Sequence, residues 1–292
     1  MNTLSRVLVI VLVMLLHPAP ARAADCEDPK PLRFALIPKK NPELQLAEYQ
    51  PLIQVLEKTL ERRIEIVHTA SYGTVIEGLL AGNIDLAELG PASFVQADAR
   101  DASITAFATF SGRIGPHTDS GEFYRSLLVV RRDRGFSSIA SLRDSSISLI
   151  DPASTSGALL PRHIFARLTG IPLERYFKRI TYAGSHDRAI QAVQKGLVDA
   201  AFVSSRRLDE AIRQGSVRPD EVAVLWKSSP IPFNPFVYRG RLCQPLVERI
   251  KQAFFSESAD LQVMFRVLGQ EGFVAVNDDH YLEIREIFSS PP

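Results

Sequence analysis

The sequence predicts an α/β fold of two lobes with a ligand cleft between them, and three observations carry that prediction. Apolar runs of strand length alternate with apolar positions at helical spacing, the signature of a parallel or mostly parallel sheet covered on both faces. One strand–helix–strand unit then returns at a constant offset of 114 residues. Ser71 and Ser185, Tyr72 and His186, Gly82 and Gly196, Asp85 and Asp199, and Ala87 and Ala201 are each that far apart. Finally, two extended stretches supply crossings between lobes: turn-rich Ser111 to Gly121 with the strand that follows it, and Ser228 to Tyr238.

The first lobe opens on a βαβ unit. Leu32 to Ile37 reads as a buried strand ended by Pro38, and from Tyr49 the apolar positions Leu52, Ile53, Leu56 and Leu60 recur at helical spacing before Ile64 to Val67 resumes as a strand. Ser71-Tyr72-Gly73 begins a second helix carrying Val75, Ile76, Leu79 and Leu80. Gly82 stops it ahead of the strand Ile84 to Ala87. In the second lobe, Ser148-Leu149-Ile150 ends a strand, and Ser185-His186-Asp187 starts a helix with Ala189, Ile190 and Val193. Gly196 leads that helix into another strand. Pro245 to Phe254 and Leu261 to Leu268 read as helices that return to the first lobe. The expected division is an export signal at 1–24, a discontinuous first lobe at 25–128 and 229–292, and a second lobe at 129–228.

The chemistry concentrates at Asp151-Pro152-Ala153-Ser154-Thr155-Ser156-Gly157, which joins a strand to the mouth of a helix. Three hydroxyls beside the unpaired N–H groups of a helix start form a seat for an anion, at the positive end of the helix dipole. A plain Ser/Thr helix cap has the same local signature. Pro161 lacks an N–H, so either Gly157 caps a helix that begins after it or the helix kinks.

Composition narrows the field. With 46% hydrophobic and 23% charged residues in 292, the chain can bury a sizeable core, and a net charge of +1 gives no electrostatic case for nucleic acid or a membrane surface. Arg6, the apolar run Val7 to Leu16 and the small residues Ala19 to Ala24 read as a secretory signal, too short to span a bilayer. Export leaves Cys26 and Cys243 in an oxidising compartment, where a disulfide between them is open to formation. No nucleotide loop, metal-ligand spacing or Cys-x-x-Cys occurs, so no cofactor is expected. Ser185-His186-Asp187 is not a catalytic triad, because adjacent residues point in different directions. Asp85 and Asp199 read as turn and cap residues.

Residues 32 to about 276 resemble the phosphate/phosphite/phosphonate-binding periplasmic proteins of ABC transporters. The resemblance rests on the Tyr72 helix start, Gly82-x-x-Asp85-x-Ala87-x-x-Gly90-Pro91, Asp151-Pro152-x-Ser154-Thr155-Ser156-Gly157 with Pro161, and Ala183-Gly184-Ser185-His186-Asp187. It implies a type II periplasmic-binding-protein fold and no enzymatic activity. It also implies a ligand held by Ser154, Thr155, Ser156, His186 and Asp187, with Tyr72 reaching across from the other lobe. A tyrosine found in some relatives is Leu89 here. Where aminophosphonate binders carry acids for the ligand's ammonium, this chain has Arg206 and Asn234. The expected ligand is therefore phosphate, phosphite or a simple phosphonate without an amine. The expected partner of this periplasmic monomer is an ABC permease, with a membrane sensor kinase as the alternative. An exported phosphoesterase is a remote third reading.

Overall fold

The computed structural model describes residues 26–289; the expected export segment lies outside the described residues. The first lobe contains β1 (Leu32–Leu36), α1 (Pro42–Leu60), β2 (Ile64–Val67), α2 (Tyr72–Leu80), β3 (Leu86–Glu88), α3 (Pro91–Asp98) and β4 (Thr105–Gly112). The chain crosses through β5 (Phe123–Tyr124) into β6 (Ser126–Arg131), β7 (Ser146–Leu149), α4 (Leu160–Thr169), α5 (Leu173–Tyr176), β8 (Arg179–Tyr182), α6 (His186–Gln194), β9 (Ala200–Ser204), α7 (Ser205–Arg213) and β10 (Val222–Lys227). It returns through β11 (Ile231–Pro232) to β12 (Phe236–Tyr238), α8 (Gln244–Phe254), α9 (Ala259–Leu268), β13 (Gln270–Ala275) and α10 (Leu282–Ser289).

The two sheets share one plan. The first runs β13-β4-β12-β3-β1-β2 and the second β10-β6-β9-β7-β8. In each, three strands pair in parallel, and the strand arriving from the other lobe inserts antiparallel: β12 between β3 and β4, β6 between β9 and β10. The 114-residue offset carries α2 onto α6 end for end, and β1 and β3 onto β7 and β9. Ser71 and Ser185 cap the two equivalent helices by accepting from Thr74 N and Arg188 N. Asp85 and Asp199 also match: each takes a backbone N–H at the start of an equivalent strand, from Arg33 of β1 at 2.8 Å and Ser146 of β7 at 2.9 Å.

Two boundaries differ from the expectations. Helix α1 begins at Pro42 rather than Tyr49, because the Asn41 side chain accepts from Glu43 N and Leu44 N and Pro42 fits the first turn. That first turn leaves Leu44 exposed, so it has no apolar face to announce it. The lobe boundary expected at 128 falls inside β6, whose Ser126 already pairs with Ser204. The crossings themselves pair: Phe123 and Tyr124 form a two-stranded ribbon with Pro232 and Ile231.

The return strand is fixed by its apolar residues. Phe236 of β12 is fully buried, with its ring 5.4 Å from Phe110 and 4.9 Å from Phe254. Burying one such side chain is worth about 1.5–3 kcal/mol. Cys26 and Cys243 form a disulfide that ties the N-terminal arm to the start of α8. Glu27 continues the seam, its N–H donating to the Arg241 carbonyl and its carbonyl accepting from Cys243 N. Both cysteines belong to the first lobe, so the bridge does not cross the hinge.

Candidate functional site

A cavity of about 90 Å³ lies between the lobes, at the C-terminal ends of β1, β3, β7 and β9. Strand ends in an open parallel sheet are where backbone N–H groups and loop side chains converge.

The second lobe supplies the hydroxyl seat. Ser154 caps the turn that follows it, its Oγ accepting from Gly157 N at 3.2 Å. One π-helical turn, Thr155–Leu159, precedes α4, so Pro161 falls in the first α-helical turn. Having no N–H, Pro161 cannot donate to the Gly157 carbonyl, which instead accepts from Ile150 N at 3.1 Å. Glycine is required at 157 by proximity, since a Cβ there would lie 2.1 Å from Ile150 Cγ1. The turn is thereby pulled against the end of β7, and Ser154, Thr155 and Ser156 all line the cavity while remaining almost wholly buried.

His186, at the first position of α6, lines the same cavity. Its Nδ1 accepts from Ser204 N at 3.2 Å, which assigns the proton of the neutral ring to Nε2. Burial, with help from Arg207 and Lys39, pushes its pKa down to about 3, so the ring is neutral at physiological pH. It therefore offers one N–H without bringing a charge.

The first lobe closes over this seat. Tyr72 N donates to Asp151 Oδ2 at 3.2 Å, and burial raises the pKa of its phenol, so Tyr72 is a neutral hydroxyl. At the N-terminus of α3, Ala92 N donates to Thr155 Oγ1 at 2.9 Å, and Ser93 Oγ donates to the Ala153 carbonyl at 2.8 Å. Thr155 keeps its own O–H to donate elsewhere. From the crossing ribbon, Tyr124 lines the same cavity, and burial pushes its phenol up to about 12. Hydroxyls, a neutral imidazole and helix N-termini thus meet around one point. Such an arrangement is rich in donors and suits an oxyanion.

The structure brings Tyr72, Ser154, Thr155, Ser156, His186, Arg206 and Asn234 to the cavity wall. Asp187 is not among them: it follows His186 on the helix, turns away and accepts from Arg207 at 2.7 Å. Arg206 lines the cavity, but not as a free charge. Its two terminal nitrogens donate to the carbonyls of Arg113 and Gly269, each at 2.8 Å, and its guanidinium lies 5.2 Å from the Phe233 ring centre. Asn234 donates to Glu88 at 3.0 Å.

Sequence reasoning missed the charged wall opposite the seat. Glu88, 1% exposed, accepts from Lys39, Tyr49 and Asn234. Nearby, Lys40 of the first lobe bridges Glu48 and Glu210, and Glu210 of the second lobe also pairs with Arg207. Lys39 lies three residues past the end of β1 and Glu88 ends the neighbouring parallel strand β3, and that topological position was the signal available for them.

A family model described as "ABC transporter, phosphonate, periplasmic substrate-binding protein" matches residues 34–281. The chain is 29% identical over 245 residues to the phosphate-import protein PhnD of Mycolicibacterium smegmatis, covering 79% of this chain and 73% of that one. It is 28% identical over 279 residues to the phosphonates-binding periplasmic protein of Escherichia coli, covering 94% and 79%. Its fold matches that of a binding protein component of an ABC phosphonate transporter from Pseudomonas aeruginosa, with a TM-score of 0.80 at 22% identity over 88% of this chain and 85% of that one. PhnD1 from Prochlorococcus marinus, in complex with methylphosphonate, gives a TM-score of 0.77 at 19% identity over 88% and 97%.

Proposed function

This chain belongs to the phosphonate family of periplasmic substrate-binding proteins of ABC transporters, and from that premise we propose that its interlobe cavity holds a small phosphorus oxyanion on Ser154, Thr155, Ser156 and His186. The observation that carries the proposal is the convergence of neutral donors: three hydroxyls on a helix mouth and the Nε2–H of a histidine kept uncharged by burial. Tetrahedral oxyanions accept several hydrogen bonds at once, and each one to a charged oxygen is stronger than a neutral pair. Relatives named for phosphate import and phosphonate binding point to the same class.

Both lobes would touch such a ligand. Tyr72 and Tyr124 approach from the first lobe and the ribbon, the serine turn and His186 from the second. A ligand that touches both walls favours the closed state over the open one, which is how a hinged receptor signals occupancy. The family is one of transport receptors rather than enzymes, and the closed form is what an ABC permease would receive. No observation favours the sensor-kinase alternative over delivery. Residues 1–24 would direct the chain to the periplasm, where the family works.

The test is isothermal titration of the mature chain with phosphate, phosphite, methylphosphonate and sulfate. At least one phosphorus oxyanion should bind and raise the melting temperature by mass action. Heat from sulfate alone, or from none of the four, overturns the assignment.

A further inference from the structure

Glu88 ends β3 inside the cavity wall, and every bond it makes is to a donor of the chain itself. Lys39 Nζ approaches its two oxygens at 2.5 and 2.7 Å, the Tyr49 hydroxyl donates to Oε2 at 2.7 Å, and Asn234 Nδ2 donates to Oε1 at 3.0 Å. The Lys39 ammonium is equally saturated. Its third contact is the Tyr49 oxygen at 3.0 Å, and it lies 5.3 Å from the centre of the same ring. A carboxylate, a phenol and an aromatic face are the groups that would recognise a primary ammonium brought in by a ligand.

This cage adjoins the anion seat. The Lys39 carbonyl accepts from His186 N at 3.2 Å, and Lys39, Glu88 and Asn234 line the same cavity as Ser154 to Ser156. Lys39, Tyr49 and Glu88 all belong to the first lobe, so the cage is complete whether or not the lobes are shut. The other acids of the wall are engaged too. Glu210 pairs with Lys40 and Arg207, and Glu48 with Lys40, while the second Glu48 oxygen, though unpartnered, is itself buried.

We propose that Lys39 is a specificity-determining residue: its ammonium occupies the carboxylate cage that a ligand's amine would otherwise fill, so the protein selects phosphorus oxyanions whose organic end carries no amine. The proposal rests on the oxyanion reading above and adds which residue sets the ligand's other end. An amine entering beside Lys39 would meet a second cation, and the acids of the wall, Glu88, Glu48 and Glu210, each already pair with a cation of the chain.

The experiment compares 2-aminoethylphosphonate with propylphosphonate, which matches it in length and lacks the amine, on the mature wild type and on Lys39→Ala. Wild type should favour propylphosphonate, and Lys39→Ala should move the ratio of affinities toward the amine by tenfold or more. A wild type that prefers the amine, or a ratio unmoved in the variant, overturns the proposal. Because Lys39→Ala leaves Glu88 buried without its cation, a second arm measures melting with and without ethylammonium chloride, against sodium chloride at equal ionic strength. Ethylammonium should stabilise Lys39→Ala, or be needed for it to fold, and should do nothing for wild type or for Lys39→Ala/Glu88→Gln. Absence of that rescue also overturns the proposal. If wild type binds neither phosphonate, the titration with phosphate, phosphite and methylphosphonate decides the oxyanion reading, and the ethylammonium arm decides whether the cage takes an amine.

Discussion

Tyr72 and His186, 114 residues apart, hold the same first-turn position on equivalent helices, and both line the cavity between the lobes. A repeated unit has thus been given a different donor in each copy. Tyr72 is tied to Asp151 of the opposite lobe by its backbone N–H, while the imidazole of His186 is oriented by Ser204 of its own lobe.

The oxyanion reading makes Thr155 and His186 the most informative substitutions. Thr155→Val keeps the shape but removes the donor to the ligand and the acceptor of Ala92 N. A hydrogen bond to a charged group is worth roughly 1.5–3 kcal/mol, so affinity should fall about tenfold to a hundredfold. His186→Ala should cost at least as much. Titration calorimetry on both variants, checked by circular dichroism for folding, decides the matter.

Ser154 should affect stability as well as binding, because its Oγ accepts from Gly157 N while lining the cavity. Ser154→Ala should lower unfolding free energy by about 0.5–2 kcal/mol in urea, the ordinary loss for a helix cap. Affinity should fall with it. A stability loss with affinity intact would make this residue a cap alone.

Histidine burial sets a pH dependence whose sign follows from linkage. With its folded pKa at about 3 against an ordinary 6.5, His186 binds fewer protons in the native state than in the unfolded one throughout that interval. Its contribution to stability is therefore present above pH 6.5 and is lost as pH falls toward 3. The melting temperature of ligand-free wild type should drop more steeply between pH 6.5 and 4 than that of His186→Gln. Parallel profiles would show that the ring is already charged or exposed.

Gly157 is held by crowding. In Gly157→Ala the new methyl must displace Ile150, whose Cγ1 lies 2.1 Å from the Cβ position. Overpacking of this kind costs about 1–3 kcal/mol, and here it also displaces the serine turn. Denaturation midpoint and ligand affinity should fall together.

The disulfide should behave differently. Replacing both Cys26 and Cys243 by serine should cost about 2–5 kcal/mol, by releasing a long loop in the unfolded chain. Affinity at a temperature where the variant is folded should not change, since both cysteines lie in the first lobe, away from the cavity. A large affinity loss would mean that the N-terminal arm acts on the hinge.

Much of the frame was legible because it is written in local pattern. Helix Tyr72–Leu80 shows itself through Ser71, Val75, Ile76 and Leu79, and its copy repeats the pattern with Ser185, Ala189, Ile190 and Val193. The serine turn was plain as a strand-to-helix junction, although a plain helix cap has the same local signature. Where β12 inserts was not legible. Three residues, Phe236–Tyr238, are placed by aromatic partners brought from α8, β4 and β13, and no short window contains that information. The Lys39–Glu88 pair was hidden for a related reason: a lysine after a strand reads as solvated until the fold shows an acid 49 positions away beside it. Asp187 misled by adjacency, because the residue after a first-turn contact is rotated about 100° around the helix.

The insertion of β12 between β3 and β4 has a consequence for how the chain is made. A polypeptide is synthesised from its N-terminus, and domains tend to fold as units when their residues become available. All five strands of the second sheet lie within residues 126–227, so that lobe can complete itself as soon as it emerges. The older half of the molecule must wait. Until residues 236–238 arrive, β3 and β4 each present an open edge of N–H and C=O groups, the kind of surface on which neighbouring chains pair and aggregate. The lobe begun first is the one finished last, and its nascent edges are where a holding chaperone would be needed.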